Sequence, residues 1–258
     1  MSVKELLNLS GKAAIVTGGS RGLGLQIAEA LGEMGAKVAL TARKKDELEH
    51  AVDHLKKKGI EAYGFPCDLG KREAVPAAFE AMLKALGRVD ILVNNAGAVW
   101  GAPAEDHPLE AWDKLISLNL LAGFTLAQLA AKKCMIPAKW GRIINVASVA
   151  GLYASDPAVV RTVSYNATKH GVVGMTKQLA AEWGEHGITV NAICPGFFPS
   201  KMTHGTLDAS GEMVRKATPT RRLGGNEDLK GLAVLLASEA SRHITGEAIA
   251  VDGGAMLI

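Results

Sequence analysis

The 258-residue sequence predicts an α/β fold: a single doubly wound domain with a seven-stranded parallel sheet and helices on both faces. Three observations predict it. Short, continuously apolar runs such as Ala13-Ala14-Ile15-Val16 and Ile91-Leu92-Val93 read as strands buried on both sides. Longer stretches with apolar residues on a helical period alternate with these runs. No linker, repeat or low-complexity segment breaks the alternation across residues 1–258. Right-handed crossovers then give a Rossmann-type sheet with ligands at the carboxyl ends of its strands.

The first strand, 13–16, runs into Thr17-Gly18-Gly19-Ser20-Arg21-Gly22-Leu23-Gly24. A helical pattern follows, with Leu23, Ile27, Ala30 and Leu31 on one face. Strand, glycine turn and helix form the context in which such a turn binds a dinucleotide. Glycines let the backbone approach a pyrophosphate, and the opening N–H groups of the helix meet its charge. The spacing is Gly18-x3-Gly22-x-Gly24, and a plain βα turn would carry similar glycines.

The second strand, 37–41, ends in Thr41-Ala42-Arg43-Lys44. In folds that hold NAD, an acidic residue here takes the ribose 2′-hydroxyl. Arg43 suits a 2′-phosphate instead, with Arg21 approaching from the glycine turn, which favours NADP (NADPH) over NAD. The solvated start of a helix would also place Arg43 and Lys44 there. That helix covers 45–58, with Leu48, Val52 and Leu55 on one face and Gly59 as its stop. The third strand, 61–65, leads to Asp68 and Leu69, where a carboxylate can accept from the adenine amino group or cap a turn.

A helix over 72–86 precedes the fourth strand, 91–93, which ends in Asn94-Asn95-Ala96-Gly97. Small residues there let a cofactor lie against the strand end, and the amides can tie neighbouring strands; an asparagine turn would look similar. The helix 109–133 carries Asn119. The fifth strand, 142–146, runs into Ser148, and the helix 165–185 opens on Tyr165-Asn166-Ala167-Thr168-Lys169. The sixth strand, 188–193, precedes Pro195-Gly196; the helix 226–238 and the strand 248–251 complete the domain.

Tyr165 and Lys169 are four residues apart, so phenol and ammonium share one helix face. A free tyrosine has a pKa of about 10 and is a poor acid–base group at neutral pH. A nearby cation favours phenolate and lowers that value, and Ser148 can hydrogen-bond a substrate oxygen as charge develops on it. A buried amide mending a helix accounts equally for Asn119, and a strand-end turn for Ser148.

Composition excludes several classes. Hydrophobic residues make up 48% and charged residues 21%, a globular balance. The net charge of +3 comes without a basic run or basic-aromatic stripe, so nucleic acid is not an expected partner. The three cysteines, Cys67, Cys134 and Cys194, form no CxxC, which argues against a disulfide framework or a metal site and suits a reducing cytoplasm. The N-terminal residues lack a signal-peptide pattern and no apolar run reaches spanning length, so no membrane is expected.

Thr17-Gly18-x3-Gly22-x-Gly24, Asn94-Asn95-Ala96-Gly97, Asn119, Ser148, Tyr165-x3-Lys169 and Pro195-Gly196 occur in order at fitting intervals. Together they resemble the short-chain dehydrogenase/reductase family, from Gly11 to Gly254. The resemblance implies hydride transfer between the nicotinamide C4 and a carbonyl or secondary alcohol. Tyr165 would be the general acid/base, with Lys169 lowering its pKa and holding the nicotinamide ribose. Ser148 would polarise the carbonyl and Asn119 would hold a water in the proton relay. The cofactor would touch Gly18, Ser20, Arg21, Gly22, Leu23, Gly24, Arg43, Asp68 and Leu69, then Asn95, Ala96, Gly97, Tyr165, Lys169, Pro195, Gly196, Phe198 and Ser200. The family often has threonine where this chain has Ser200.

Residues 199–219, rich in Gly, Ser and Thr, are expected to form a mobile lid over the substrate. Trp100, Leu152, Tyr153, Phe197, Phe198 and Met202 either line an apolar pocket or pack beneath that lid. The span 149–164 is longer than is usual in the family and is expected to border the pocket mouth. Within the family the chain is similar to 3-oxoacyl-carrier-protein reductases and to gluconate 5-dehydrogenase-like members. The expected substrate is an apolar or 3-oxoacyl ketone, free or as an acyl thioester. The alternatives are a polyol or sugar acid, or a catalytically silent NADP-binding sensor. Lys139 and His186 are the candidate basic pair for a carrier protein. The helices 109–133 and 165–185 carry wide apolar faces, which by resemblance implies a homotetramer.

Overall fold

Strands buried on both faces belong in the middle of a sheet covered twice. β1 (Ala13–Thr17), β5 (Gly141–Val146) and β6 (Ile188–Pro195) are buried at every position. They join β2 (Lys37–Ala42), β3 (Ala62–Pro66), β4 (Ile91–Asn94) and β7 (Ala248–Val251) in one sheet of order β3-β2-β1-β4-β5-β6-β7. All six pairings are parallel. The computed structural model describes residues 1–257.

The two-residue alternation of a strand divides the core between two layers. Ala14 and Val16 face one layer, where α2 (Gly22–Glu33), α3 (Lys45–Lys57) and α10 (Lys230–Ala237) contribute Ile27, Leu31, Leu55 and Leu236. Ala13 and Ile15 face the other, built with Phe79 and Met82 of α4 (Ala74–Leu86), Leu126 of α6 (Ala122–Ala130) and Leu179 of α8 (Val163–Trp183). Each fully buried side chain of this kind stabilises the fold by about 1.5–3 kcal/mol.

Boundaries shift where tertiary contacts override local signals. α1 (Val3–Leu7), fixed by a capping box between Ser2 and Glu5, is too short to read from periodicity. The helix expected at 109–133 continues to Ala138: α5 (Leu109–Leu115), α6 and α7 (Ile136–Ala138) are joined by π-helical turns at Ile116–Leu121 and Ala131–Met135. By length and composition this 30-residue run could cross a membrane, contrary to the expectation that none would; its inner side, with Leu126, Ala127 and Ala130 fully buried, belongs to the core. The expected lid span contains α9 (His204–Ala217), a 14-residue helix.

Polar bonds cross the sheet beneath the site. The Asn94 side chain donates to Gly123 O at 3.2 Å and to Asn145 Oδ1 at 3.0 Å. Asn145 in turn donates to Thr176 Oγ1 on α8 at 2.9 Å. The amides do tie neighbouring elements together.

Candidate active site

Because all the strands are parallel, their carboxyl ends gather the chemistry on one edge. The turn after β1 brings Gly18 and Gly22 there, both with positive φ (62° and 55°). A Cβ on Gly24 would sit 2.4 Å from both Gly18 O and Asn95 Nδ2, so only glycine lets α2 start this close to β4. Apart from its own neighbours in the chain, nothing among the described residues lies within 4 Å of where a Cβ of Gly22 would stand. That bare, open backbone, at the amino end of α2, fits a dinucleotide's phosphates. Thr17 locks the cradle: its hydroxyl accepts from the N–H groups of Asn95 and Ala96, each at 2.9 Å. The Asn95 amide donates to Thr17 O (2.9 Å) and Gly18 O (3.1 Å), so its side chain braces the turn.

The residues expected around the adenosine end are placed unequally. Arg43 lies just past β2, exposed and in no ion pair among the described residues. Arg21 instead pairs with Glu47 at 2.6 Å, so the two guanidiniums do not both stand free. Asp68 accepts from Gly70 N at 3.1 Å, the turn role, and Leu69 is buried beside it. Ser20 is partly exposed in the turn, Leu23 is partly exposed in the first turn of α2, and Ala96 and Gly97 follow β4. At the other end, Pro195 closes β6, Gly196 N donates to Val251 O at 3.0 Å, and Ser200 exchanges hydrogen bonds with Thr203. Phe198 is turned into the core against Gly224.

The catalytic candidates come together. Ser148, after β5, accepts from Ala150 N at 3.1 Å and stands beside the Tyr165 phenol. Lys169 is 4% exposed, donates to Val146 O at 2.7 Å, and has its ammonium 5.6 Å from the centre of the Tyr165 ring. Burial pushes the Tyr165 phenol up, with the neighbouring Ser148 hydroxyl drawing it partly back. Burial also depresses Lys169 to about 8. The expected lowering of the phenol by Lys169 is therefore not found in the protein alone, because the ammonium is itself desolvated. Cys194, free and buried, is raised to about 11 by the same desolvation.

Asn119 sits in the first π-helical turn and clasps the loop after β4: Ala98 N donates to its Oδ1 (2.8 Å) and its Nδ2 donates to Ala98 O (3.0 Å). Nδ2 also reaches Thr168 Oγ1 at 3.1 Å, and Thr168 donates to Tyr165 O at 2.8 Å. Sequence reasoning missed Thr168 as this link; its place three residues after Tyr165, where a threonine can bond back along a helix, was the available signal.

Two expectations about the mouth change. The span 149–164 does line a cleft of about 650 Å³, with Pro103, Glu105, Arg161 and His170 among its walls, but Ser148 and Tyr165 are not among them. Lys139 and His186 lie two residues before β5 and β6, at the amino ends of those strands and so at the opposite edge of the sheet from Tyr165. The helices before β5 and β6 run back across the sheet, which puts their last residues there.

A glycine cradle beside a serine, a tyrosine and a lysine defines an oxidoreductase that works on C=O and CH–OH groups. The chain belongs to the short-chain dehydrogenases: that family's sequence model, described as short chain dehydrogenase, matches residues 12–210. It is 38% identical to the gluconate 5-dehydrogenase of Gluconobacter oxydans over 98% of each chain. It is 34% identical to a 3-oxoacyl-acyl-carrier-protein reductase of Aquifex aeolicus, over 96% of this chain and 98% of that one. Among solved structures it resembles a gluconate 5-dehydrogenase from Burkholderia cenocepacia in complex with NADP and tartrate, with a TM-score of 0.93, 32% identity and full coverage of both chains.

Proposed function

We propose that the protein is an NADP(H)-dependent reductase that converts a small ketone to a secondary alcohol, with Tyr165 as proton donor. The observation that carries this reading is the gathering of Tyr165, the buried Lys169 ammonium 5.6 Å from its ring centre, and Ser148 at the carboxyl end of β5. A phenol held in its acid form is loaded for reduction, where negative charge grows on the carbonyl oxygen. When bound, the nicotinamide supplies the hydride. Ser148 holds that oxygen beside the phenol and steadies its growing charge. Lys169 stands next to Tyr165 as the nearby positive charge, and the Asn119–Thr168 link fixes the tyrosine's carbonyl.

Arg43 is the group for the 2′-phosphate, and a neighbour crystallised with NADP supports that choice over NAD. The exposed side chains of Trp100, Tyr153 and Met202 favour an apolar or 3-oxoacyl ketone. The position of Lys139 and His186 argues for a free substrate over one carried on a protein. A second reading, oxidation of a polyhydroxy acid, is favoured by the gluconate 5-dehydrogenase relatives. A cytoplasmic homotetramer completes the reading.

The test is loss of NADPH or NADH absorbance with cyclohexanone, ethyl acetoacetate, an acetoacetyl thioester and 5-ketogluconate. Turnover of the second or third with NADPH supports the first reading, and turnover of 5-ketogluconate alone supports the second. Tyr165→Phe should lower kcat by about 10³-fold and leave NADPH binding within about threefold. Arg43→Asp should move cofactor preference toward NADH; an unchanged ratio refutes the 2′-phosphate role.

A further inference from the structure

The first turn of α8 carries Tyr165, yet this helix makes no side-chain cap of its own. Its N-cap residue, Thr162, donates to Asn166 Oδ1 at 2.9 Å and to no backbone N–H of the turn. The turn is held from outside, by the loop that follows β4. In that loop Ala102 N donates to Arg161 O at 2.9 Å. Further on, Nε2 of His107 lies 2.7 Å from Oγ of Ser164, a fully buried residue directly before Tyr165.

The other ring nitrogen of His107, Nδ1, is buried and has no hydrogen-bond partner among the described residues. The ring edge rests against Trp112, with centroids 6.2 Å apart. An orphaned buried nitrogen costs free energy, so the imidazole's one polar return at this place is its bond to Ser164. The loop ending at His107 also includes Ala98, which Asn119 clasps. One loop therefore touches both the relay residue and the turn that aims the phenol.

We propose that His107 is a positioning residue: through Ser164 it fixes the first turn of α8, and with it the direction of the Tyr165 hydroxyl relative to Ser148. The inference rests on the reading of Tyr165 as proton donor. A displaced donor slows the chemical step and leaves most of the cofactor's hold in place, because the phosphate cradle lies on other elements and Lys169 is tied separately to Val146 O.

The test is steady-state kinetics of the full-length enzyme with NADPH and whichever compound of the panel above is turned over fastest, together with NADPH titration. His107→Ala and Ser164→Ala should each lower kcat about tenfold, with KM and the NADPH Kd within about twofold. The double variant should be no slower than either single one, since both break the same bond. His107→Gln, whose amide nitrogen can reach the Ser164 hydroxyl, should recover kcat to within about threefold. An unchanged kcat in His107→Ala, a multiplicative loss in the double variant, or no recovery in His107→Gln overturns the proposal. So does NADPH binding lost along with turnover, which would make the contact one of general architecture. Tyr165→Phe is run in parallel: if it stays active, the reading of the site itself fails, whereas an inactive Tyr165→Phe beside an unaffected His107→Ala removes only the role of His107.

Discussion

Burial holds the Lys169 ammonium at about 8, so near neutral pH the fold carries this charge at a cost. An unfolded lysine keeps its proton up to about 10.4. Between these two values the unfolded chain binds the extra proton, so stability rises with pH across that window. Lys169→Met should therefore melt a few degrees above the parent protein at pH 7, and the gap should close as pH approaches about 10. Turnover should fall at least about a hundredfold in the same variant. Thermal melts at four or five pH values check the sign; a gap that widens with pH refutes it. Tyr165 and Lys169 were legible in the sequence because a spacing of four fixes a common helix face without any tertiary knowledge. The partners that aim them, Thr168 and Ser164 with His107, were not, since 57 residues separate His107 from Ser164 and only the folded chain brings them together. The inward turn of the Phe198 side chain was not legible for a related reason: an aromatic residue after a strand can turn either way, and the bare backbone of Gly224 offers it a seat.

The turn from β1 into α2 is the element whose shape the cofactor site requires most. Gly24→Ala would drive a methyl group into Gly18 O and the Asn95 amide, backbone and a braced side chain that cannot both yield. The expected outcome is a stability loss of about 1–3 kcal/mol and NADPH binding weakened by about tenfold or more, read by melting and titration. Strand-turn-helix order made this element readable in advance. The π-helical turns at Ile116–Leu121 and Ala131–Met135 were not readable, because Ala, Leu and Lys suit an α-helical and a π-helical turn alike and the choice is made by packing. The helix α9 inside the expected lid was hidden by its own composition: glycine, serine and threonine weaken a helical signal, and only Val214 of its 14 residues is buried.

Across the whole molecule, three helices meet at one carboxylate. Glu29 on α2 accepts from Lys230 on α10 (2.6 Å) and pairs with Lys58 (3.0 Å) and His54 (2.6 Å) at the end of α3. Burial opposes its charge, but the hydrogen bonds from Lys230, His54 and Lys58 prevail and hold it at about 2. A depressed carboxylate contributes fully above its ordinary value of about 4.3, and the contribution is lost as pH falls toward 2. Glu29→Gln should destabilise by about 1–3 kcal/mol at pH 7, a modest figure because His54 and Lys58 are half exposed. That is a melting point lower by about 2–4 °C per kcal/mol, and the difference should shrink between pH 4 and pH 2. The number and parallel direction of the seven strands followed from alternation and handedness alone. A junction such as Glu29 did not, because its charges come from three distant segments.

The polar chain Gly123–Asn94–Asn145–Thr176 runs under the catalytic edge from one long helix to the other. One of those helices holds Asn119 and the other holds Tyr165, so the chain acts as a yoke between the two elements that carry these candidate residues. Asn145→Leu touches no reactant, yet it would strip partners from an amide and a hydroxyl at once and let the two helices drift independently. Damage at that hidden joint would surface as poor timing between hydride and proton, far from any atom that meets the substrate.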